Sequence, residues 1–381
     1  MTSATATRPE VESPRKQRRR EWAPRMWEGC SVSTWLRLLW RGRFAVHPKY
    51  WYIAIIITIV SSIHSILRLV QQLHYGRAIS RTKIQQDPIF IIGHWRTGTT
   101  WLHELLILDE RHNYPTTYQC FDPNHFLLTE GFFKRWLRFL LPSNRPMDNM
   151  PAGWDRPQED EFALCMLGLP SPYLTIAFPN QPPKCPEYLD LKGVSAQSVA
   201  AWKRVFFRFL QTLTFKDPRR LVLKSPPHSC RIETLLELFP RARFIHIMRD
   251  PYLVFASTVH MWKALYKAHG LQSVKHINLD EYVYTNFERL YARMEEGKKC
   301  IPAGQFHEVR YEELVKAPEE QMRRLYETLR LDGFDKLMPR LRNYLKNTAG
   351  YERNSYTQDP GLREAIRQRW GTVIRQYGYE S

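Results

Sequence analysis

Two glycines five positions apart, Gly93 and Gly98, bracket the run "GHWRTG", which follows the apolar "PIFII" and precedes "TTWLHELL". A strand entering a glycine-bracketed turn and leaving as a helix is an anion-binding arrangement. The first N–H groups of the helix point outward and its dipole favours negative charge. Gly93 and Gly98 permit close approach, and the Thr99 and Thr100 hydroxyls add donors. The spacing nearly completes the nucleoside-triphosphate loop, whose lysine reaches between the β- and γ-phosphates. Here Thr99 holds the lysine position, and the nearest cation is Arg96. A triphosphate site would lack its central charge. A shorter anion, a single phosphate carrying a sulfuryl group, suits the loop better, with Arg96 over the bridging oxygen.

Two further segments offer donors of the same kind. "FIHIMRDPYLVFASTVHMW" reads as a strand ending at Arg249, with Asp250 as helix N-cap, Pro251 at the first helical position and Ser257 about two turns in. "LVLKSPPH" reads as a strand ending at Lys224. Taken singly, each has a plainer reading: a tight turn, a helix cap, a packing serine. Together they put three cations at strand carboxyl ends, where open parallel sheets bind ligands, and they fit a ligand with two separated anionic groups.

The elements that must position these residues follow an α/β pattern from about residue 87. Strand-like runs lie at 88–93, 220–225, 242–249 and 306–312, and helical patterns at 99–108, 196–215, 229–238, 252–268, 280–296 and 318–330. Short apolar strands alternating with helices predict a parallel sheet covered on both faces. Proline-rich stretches at 141–158 and 170–187 read as loops bordering a site. With 113–126, the second of these is expected to line an acceptor pocket.

The set "FIIGHWRTGTTWLHELL", "LVLKSPPH", "LFPRARFIHIMRDPYLVFAS" and "VRYEELV" resembles the sulfotransferases that use 3′-phosphoadenosine 5′-phosphosulfate (PAPS), in particular the branch of tyrosylprotein and bacterial enzymes. The resemblance covers about residues 87–330. It implies a P-loop-type parallel sheet of about five strands flanked by helices. It also implies that Arg96, Thr97, Gly98, Thr99, Thr100 and Trp101 form the 5′-phosphosulfate loop. Arg249 and Ser257 would hold the 3′-phosphate, Lys224 would lie near the transferring group, and Tyr311 near the adenine. The implied product is 3′,5′-ADP (PAP) and the acceptor carries a hydroxyl or phenol. Sulfuryl transfer is an in-line displacement that cations and backbone donors can promote without a metal. No local spacing of metal ligands is visible in the sequence.

A base must take the acceptor's proton. The tyrosylprotein enzymes place a glutamate shortly after the loop's helix, but here "NYPTTYQCFDPNHF" offers no acid before Asp122. The substitutes are Glu159 or Glu161 in "RPQEDEFAL", and the rival is His228, four residues after Lys224. Acids in a first helical turn also have the bland role of favouring the dipole. His94 and His125 read as loop or packing residues. A catalytically inactive, membrane-associated nucleotide-binding or scaffold protein of the same fold is the alternative reading, and a nucleotide kinase is disfavoured by Thr99.

Composition bounds the rest. The 381 residues carry 56 Lys and Arg against 38 Asp and Glu, a net charge of +18 that points to anionic partners. Residues 1–25 read as a disordered basic tail, 26–75 as an amphipathic or hydrophobic anchor segment, and 87–381 as the sulfotransferase domain. Within the anchor, "WYIAIIITIVSSIHSILRLV" (51–70) has the length of a membrane span, yet Ser61, Ser62, His64, Ser65 and Arg68 interrupt it. Spanning helix, interfacial helix and packed amphipathic helix all remain open from sequence. The expected setting is an anionic membrane surface, with the catalytic domain cytoplasmic. The alternative is a single-pass chain with a cytoplasmic N-terminus. Nucleic acid is not an expected partner, because no recognition helix, zinc spacing or RNP-type strand accompanies the basic run. Six scattered cysteines give no disulfide framework.

Overall fold

The computed structural model describes residues 25–136, 153–348 and 360–380. The basic run before residue 25 and most of the 141–158 loop lie outside these residues. Five strands, β1 (Ile89–Ile92), β2 (His112–Asn113), β3 (Arg220–Lys224), β4 (Arg243–Met248) and β5 (Phe306–Arg310), form one parallel sheet in the order β2-β3-β1-β4-β5. Parallel strands need crossovers, which the helices supply. In chain order these are α1 (Val32–Arg41), α2 (Trp51–Arg81), α3 (Thr99–Leu106), α4 (Thr117–Phe121), α5 (Phe126–Trp136), α6 (Asp160–Met166), α7 (Ala196–Lys216) and α8 (Ile232–Leu238). They continue with α9 (Pro251–His269), α10 (Leu279–Lys298), α11 (Tyr311–Lys316), α12 (Pro318–Thr328), α13 (Phe334–Asn347) and α14 (Pro360–Gln376).

The sheet separates two apolar layers, and strand alternation assigns its residues to them. Phe90 and Ile92 of β1, Leu221 and Leu223 of β3, and Phe244 and Met248 of β4 enter the larger core, with α1, α2, α6, α7, α9, α10 and α14. Ile89, Ile91, Val222, Ile245 and Ile247 enter the other, with α3, α11, α12 and α13. Burial on both faces is why the central strands read as continuous apolar runs. The pairing Ile91↔Lys224 and Ile92↔His246 brings the ends of β3, β1 and β4 level at one edge.

The N-terminal segment is built into this body. Arg25 is buried and donates to the carbonyls of Lys267 (3.2 Å) and Ala268 (2.5 Å), so the basic tail stops short of it. Met26, Trp27, Trp35 and Leu38 belong to the larger core. Helix α2 turns Ile53, Ile57, Ser61, His64, Gln71 and Ile79 toward the domain. Its opposite face carries Ile55, Ile56, Ile59, Ile63, Ile66, Leu69 and Leu73, all exposed, Leu73 at 83%. Ser61, His64 and Gln71 face the domain while a row of isoleucines and leucines faces outward, unlike the polar outer face of a helix on a water-soluble surface.

Candidate active site

The loop from Gly93 to Gly98 leaves β1 between β3 and β4. Gly98 has φ 101° and Gly93 φ 145°, so both adopt backbone that side chains disfavour. A Cβ on Gly98 would lie 2.4 Å from the Tyr311 ring, and one on Gly93 2.5 Å from the Ile247 carbonyl oxygen. Arg96 itself takes φ 70°, a strained value for a residue with a side chain. The loop is held from below: the Gly93 N–H donates to Ser229 Oγ (2.8 Å), and Thr97 Oγ1 donates to the His94 carbonyl (2.8 Å). Thr97 thus spends its hydroxyl inside the turn. Thr99, Thr100 and Trp101 open α3, whose first N–H groups have no intrahelical partner.

The other predicted anion-binding residues converge on this loop. Arg96 Nε donates to Ser257 Oγ (2.9 Å), and Arg249 Nη1 donates to the Arg96 carbonyl (3.3 Å). The Arg249 guanidinium lies 4.5 Å from the Tyr311 ring centre, and Trp101 meets the same ring edge-on at 6.1 Å. Asp250 accepts from the Tyr252 N–H (2.8 Å) as the N-cap of α9, which fixes where Ser257 falls. Arg249 Nε is buried without a hydrogen-bond partner.

At the end of β3, Lys224 Nζ contacts Glu159 Oε1 at 2.8 Å, with the lysine side chain only 1% exposed. Glu159 Oε2 accepts from the Tyr173 hydroxyl (2.5 Å), which accepts in turn from Trp95 Nε1 (2.8 Å). Burial, reinforced by the Glu159 charge, pushes the Tyr173 hydroxyl well above its usual value, so Tyr173 stays a donor. Phe162 (5.0 Å) and Trp262 (6.2 Å) pack against the Tyr173 ring. Tyr173 comes from the proline-rich 170–187 stretch, so that segment does reach the site.

The three candidate bases have separate fates. Glu161 is buried in a two-pronged ion pair with Arg231 (2.6 and 3.1 Å) and accepts from Ser171 Oγ (2.6 Å). His228 is fully buried, with Nε2 2.7 Å from Asp160 Oδ2, and is wedged between the rings of Phe90 and Phe206. Both side chains are committed to buried partners, Arg231 and Ser171 for Glu161 and Asp160 for His228. Glu159 pairs with Lys224.

Asp160 and Ser225 explain how Glu159 gets there. Ser225 Oγ donates to Asp160 Oδ1 (3.0 Å) and accepts from the Glu161 N–H (3.1 Å), which stitches the start of α6 to the end of β3. Burial alone would raise the Asp160 carboxyl. The His228 imidazole, with hydrogen bonds from His228 and Ser225, outweighs that and holds it below its usual value. Sequence reasoning missed Asp160, Ser225, Ser229, Arg231 and Tyr173. The signal for Arg231 was a cation in "HSCRIE" with no surface pattern around it.

The arrangement is a rim of donors, Arg96, Lys224, Arg249, Ser257 and the start of α3, opposed by one carboxylate. Such a rim suits an anion with two charged ends and a reacting hydroxyl beside Glu159.

The sequence profile described as "Sulfotransferase family" matches residues 88–336. This chain belongs to that family. The omega-hydroxy-beta-dihydromenaquinone-9 sulfotransferase Stf3 of Mycobacterium bovis (strain ATCC BAA-935 / AF2122/97) is 50% identical over 368 residues, covering 97% of this sulfotransferase and 95% of the relative. The protein of the same name from Mycobacterium tuberculosis (strain CDC 1551 / Oshkosh) matches equally. Among solved structures, sulfotransferase STF9 from Mycobacterium avium superposes with a TM-score of 0.61 at 20% identity, covering 91% of this chain and 96% of that one. STF1 from Mycobacterium tuberculosis H37Rv gives 0.61 at 17%, covering 90% and 92%. The sulfotransferase catalyses PAPS-dependent sulfuryl transfer.

The residues present fit PAPS. Gly98 leaves room for Tyr311 to pack on the loop, a buried guanidinium nitrogen of Arg249 has no partner, and the donor set is cationic.

Proposed function

We propose that this sulfotransferase sulfates the hydroxyl of a membrane-dissolved, quinone-like lipid, with Glu159 as the general base. PAPS supplies the sulfuryl group and the phosphate leaving group. Glu159 takes the acceptor's hydroxyl proton as the new O–S bond forms and the S–O bond to phosphate breaks. Lys224 and the first N–H groups of α3 offset the charge that grows on the sulfuryl and leaving oxygens. Arg249 and Ser257 bind the 3′-phosphate, Tyr311 lies along the adenine, and Arg96 orients the phosphosulfate. Tyr173 holds the Glu159 carboxylate in its rotamer.

The observation that carries this reading is the Lys224–Glu159 contact of 2.8 Å at the end of β3, a cation and a proton acceptor side by side. Two facts support the acceptor class. Relatives 50% identical over nearly the whole chain are named for an omega-hydroxylated menaquinone. Helix α2 also turns a face of isoleucines outward, flanked by exposed Trp40, Phe44 and Trp51, as a helix lying in the bilayer interface does. Helix α2 is long and apolar enough to cross a membrane; its packing on the domain from Ile53 to Ile79 favours a helix lying along the surface instead. The chain's excess of cations favours an anionic leaflet, with the catalytic domain on the cytoplasmic side.

The test uses the full chain, labelled PAPS and two acceptors: an omega-hydroxylated menaquinone in vesicles and a water-soluble phenol. Label in the lipid, with little in the phenol, is the expected result. Transfer to the phenol alone would overturn the acceptor assignment.

A further inference from the structure

Where α2 docks on the domain, three buried side chains from distant parts of the sequence converge. His64 comes from the inward face of α2, Asp122 caps the end of α4, and His125 precedes α5. His64 Nδ1 lies 3.3 Å from Asp122 Oδ1, and His125 Nε2 lies 3.7 Å from the same oxygen. The two imidazoles meet edge to face, with ring centres 4.5 Å apart. One nitrogen from each histidine and one Asp122 oxygen all lie within 4.8 Å of one another.

None of the three atoms makes a hydrogen bond, although all are buried and His125 is fully so. The surrounding bonds show why. Thr129 spends its one hydroxyl proton on the His125 carbonyl (3.1 Å) while accepting from the Tyr118 hydroxyl (2.7 Å). Its contact with His125 Nδ1 (2.9 Å) is therefore an N–H donated by the ring. With its proton on Nδ1, neutral His125 presents a lone pair at Nε2, toward the carboxylate. His64 Nδ1 is likewise buried without a hydrogen-bond partner and faces the same Asp122 oxygen. A cation placed among these three unpartnered atoms would satisfy all of them at once.

We propose that His64, Asp122 and His125 bind one divalent transition-metal ion of the zinc class. Tetrahedral zinc with ligand bonds of about 2.0–2.1 Å sets neighbouring ligand atoms about 3.3 Å apart, close to the 3.3 and 3.7 Å between each histidine nitrogen and Asp122 Oδ1. The bond from His125 Nδ1 to Thr129 Oγ1 is the outer-shell pattern of metal-ligating imidazoles. Two imidazoles and a carboxylate suit zinc better than calcium or magnesium, and a water completes the fourth position. The site fastens the apolar helix to the catalytic body. Gly29 closes over it: a Cβ there would lie 1.5 Å from the Phe121 carbonyl oxygen and 3.3 Å from Asp122 Oδ1. No sequence spacing announced it, because His64 and Asp122 lie 58 positions apart. The expectation that His125 only packs is revised with it.

The test uses the full chain in detergent, purified without a polyhistidine tag and dialysed against metal-free buffer. Elemental analysis after one equivalent of Zn²⁺ is added and unbound ion removed should find one zinc per chain. Co²⁺ in its place should give visible ligand-field bands of a four-coordinate site. Asp122→Asn and His64→Gln should each lose the metal, and exposed His74→Gln should keep it. Chelation should weaken amide-exchange protection in residues 51–81. If folded wild-type chain retains neither zinc nor cobalt and its exchange is unchanged by chelator, the proposal is wrong, whatever the variants do.

Discussion

Replacing Glu159 by Gln keeps the shape of the side chain and its reach to Tyr173 and Lys224, and removes only the basic oxygen and the charge. A positioned general base contributes about 10²–10⁴ in rate. At about 1.4 kcal/mol per tenfold, the variant should lose roughly 3–5 kcal/mol of transition-state stabilisation. The loss should fall on kcat, because Arg249 and Ser257 contact other groups and leave the KM for PAPS within a few fold. A second effect has the opposite sign for the ligand. Lys224, 1% exposed, loses the Glu159 charge, and weakening a buried ion pair is destabilising. The apo variant should therefore melt earlier, and PAP should raise its melting temperature by more than it raises the wild type's. The assay is steady-state sulfation across acceptors of graded acidity. An acidic phenol needs less help losing its proton, so the defect should shrink as acceptor pKa falls. Turnover within tenfold of wild type, or a defect independent of acceptor acidity, refutes Glu159 as the base.

Other consequences are as definite. Gly98→Ala would force a Cβ to 2.4 Å from the Tyr311 ring at φ 101°; a strained backbone costs about 1–3 kcal/mol, and calorimetry should show lower stability together with weaker PAP binding. Burial holds His94 and His103 neutral, each lowered to about 3 from 6.5. The unfolded chain protonates them first, so stability should fall as pH drops below about 6.5, by about 1.4 kcal/mol per histidine per unit. Denaturant melts at pH 7 and 5.5 that agree would contradict this. Replacing Ile59, Ile63 and Ile66 together with Ser removes apolar surface worth about 1.5–3 kcal/mol per fully buried side chain. Sedimentation with anionic vesicles should drop at least tenfold with PAP binding intact, and unchanged sedimentation would remove α2 from the membrane contact.

The central sheet was legible because β1, β3 and β4 are buried on both faces and so read as unbroken apolar runs between helices. The anion loop was legible because Gly93 and Gly98 sit where backbone geometry admits little else. β2 was not, since two residues carry no period. The base was only half legible. Glu159, Asp160 and Glu161 are consecutive, and their directions differ by about 100° per residue once α6 begins. Composition cannot say which acid meets Lys224, which His228 and which Arg231. The disposition of helix α2 was left open because apolar residues lie on both its faces: Ile53, Ile57 and Ile79 pack inward with Ser61, His64 and Gln71, while Ile55, Ile59, Ile63 and Ile66 face outward. Because Trp27, Trp35 and α2 share the main core, cutting the chain near residue 75 would remove part of the domain itself.

The most direct test of the account is calorimetric titration of the full chain with PAP, with and without Mg²⁺, for wild type and Arg249→Ala. A hydrogen bond to a charged group is worth about 1.5–3 kcal/mol. The account predicts PAP binding that is independent of Mg²⁺ and weakened about 10- to 150-fold by Arg249→Ala. Equal PAP affinity in the two proteins, or binding that requires Mg²⁺, would contradict it.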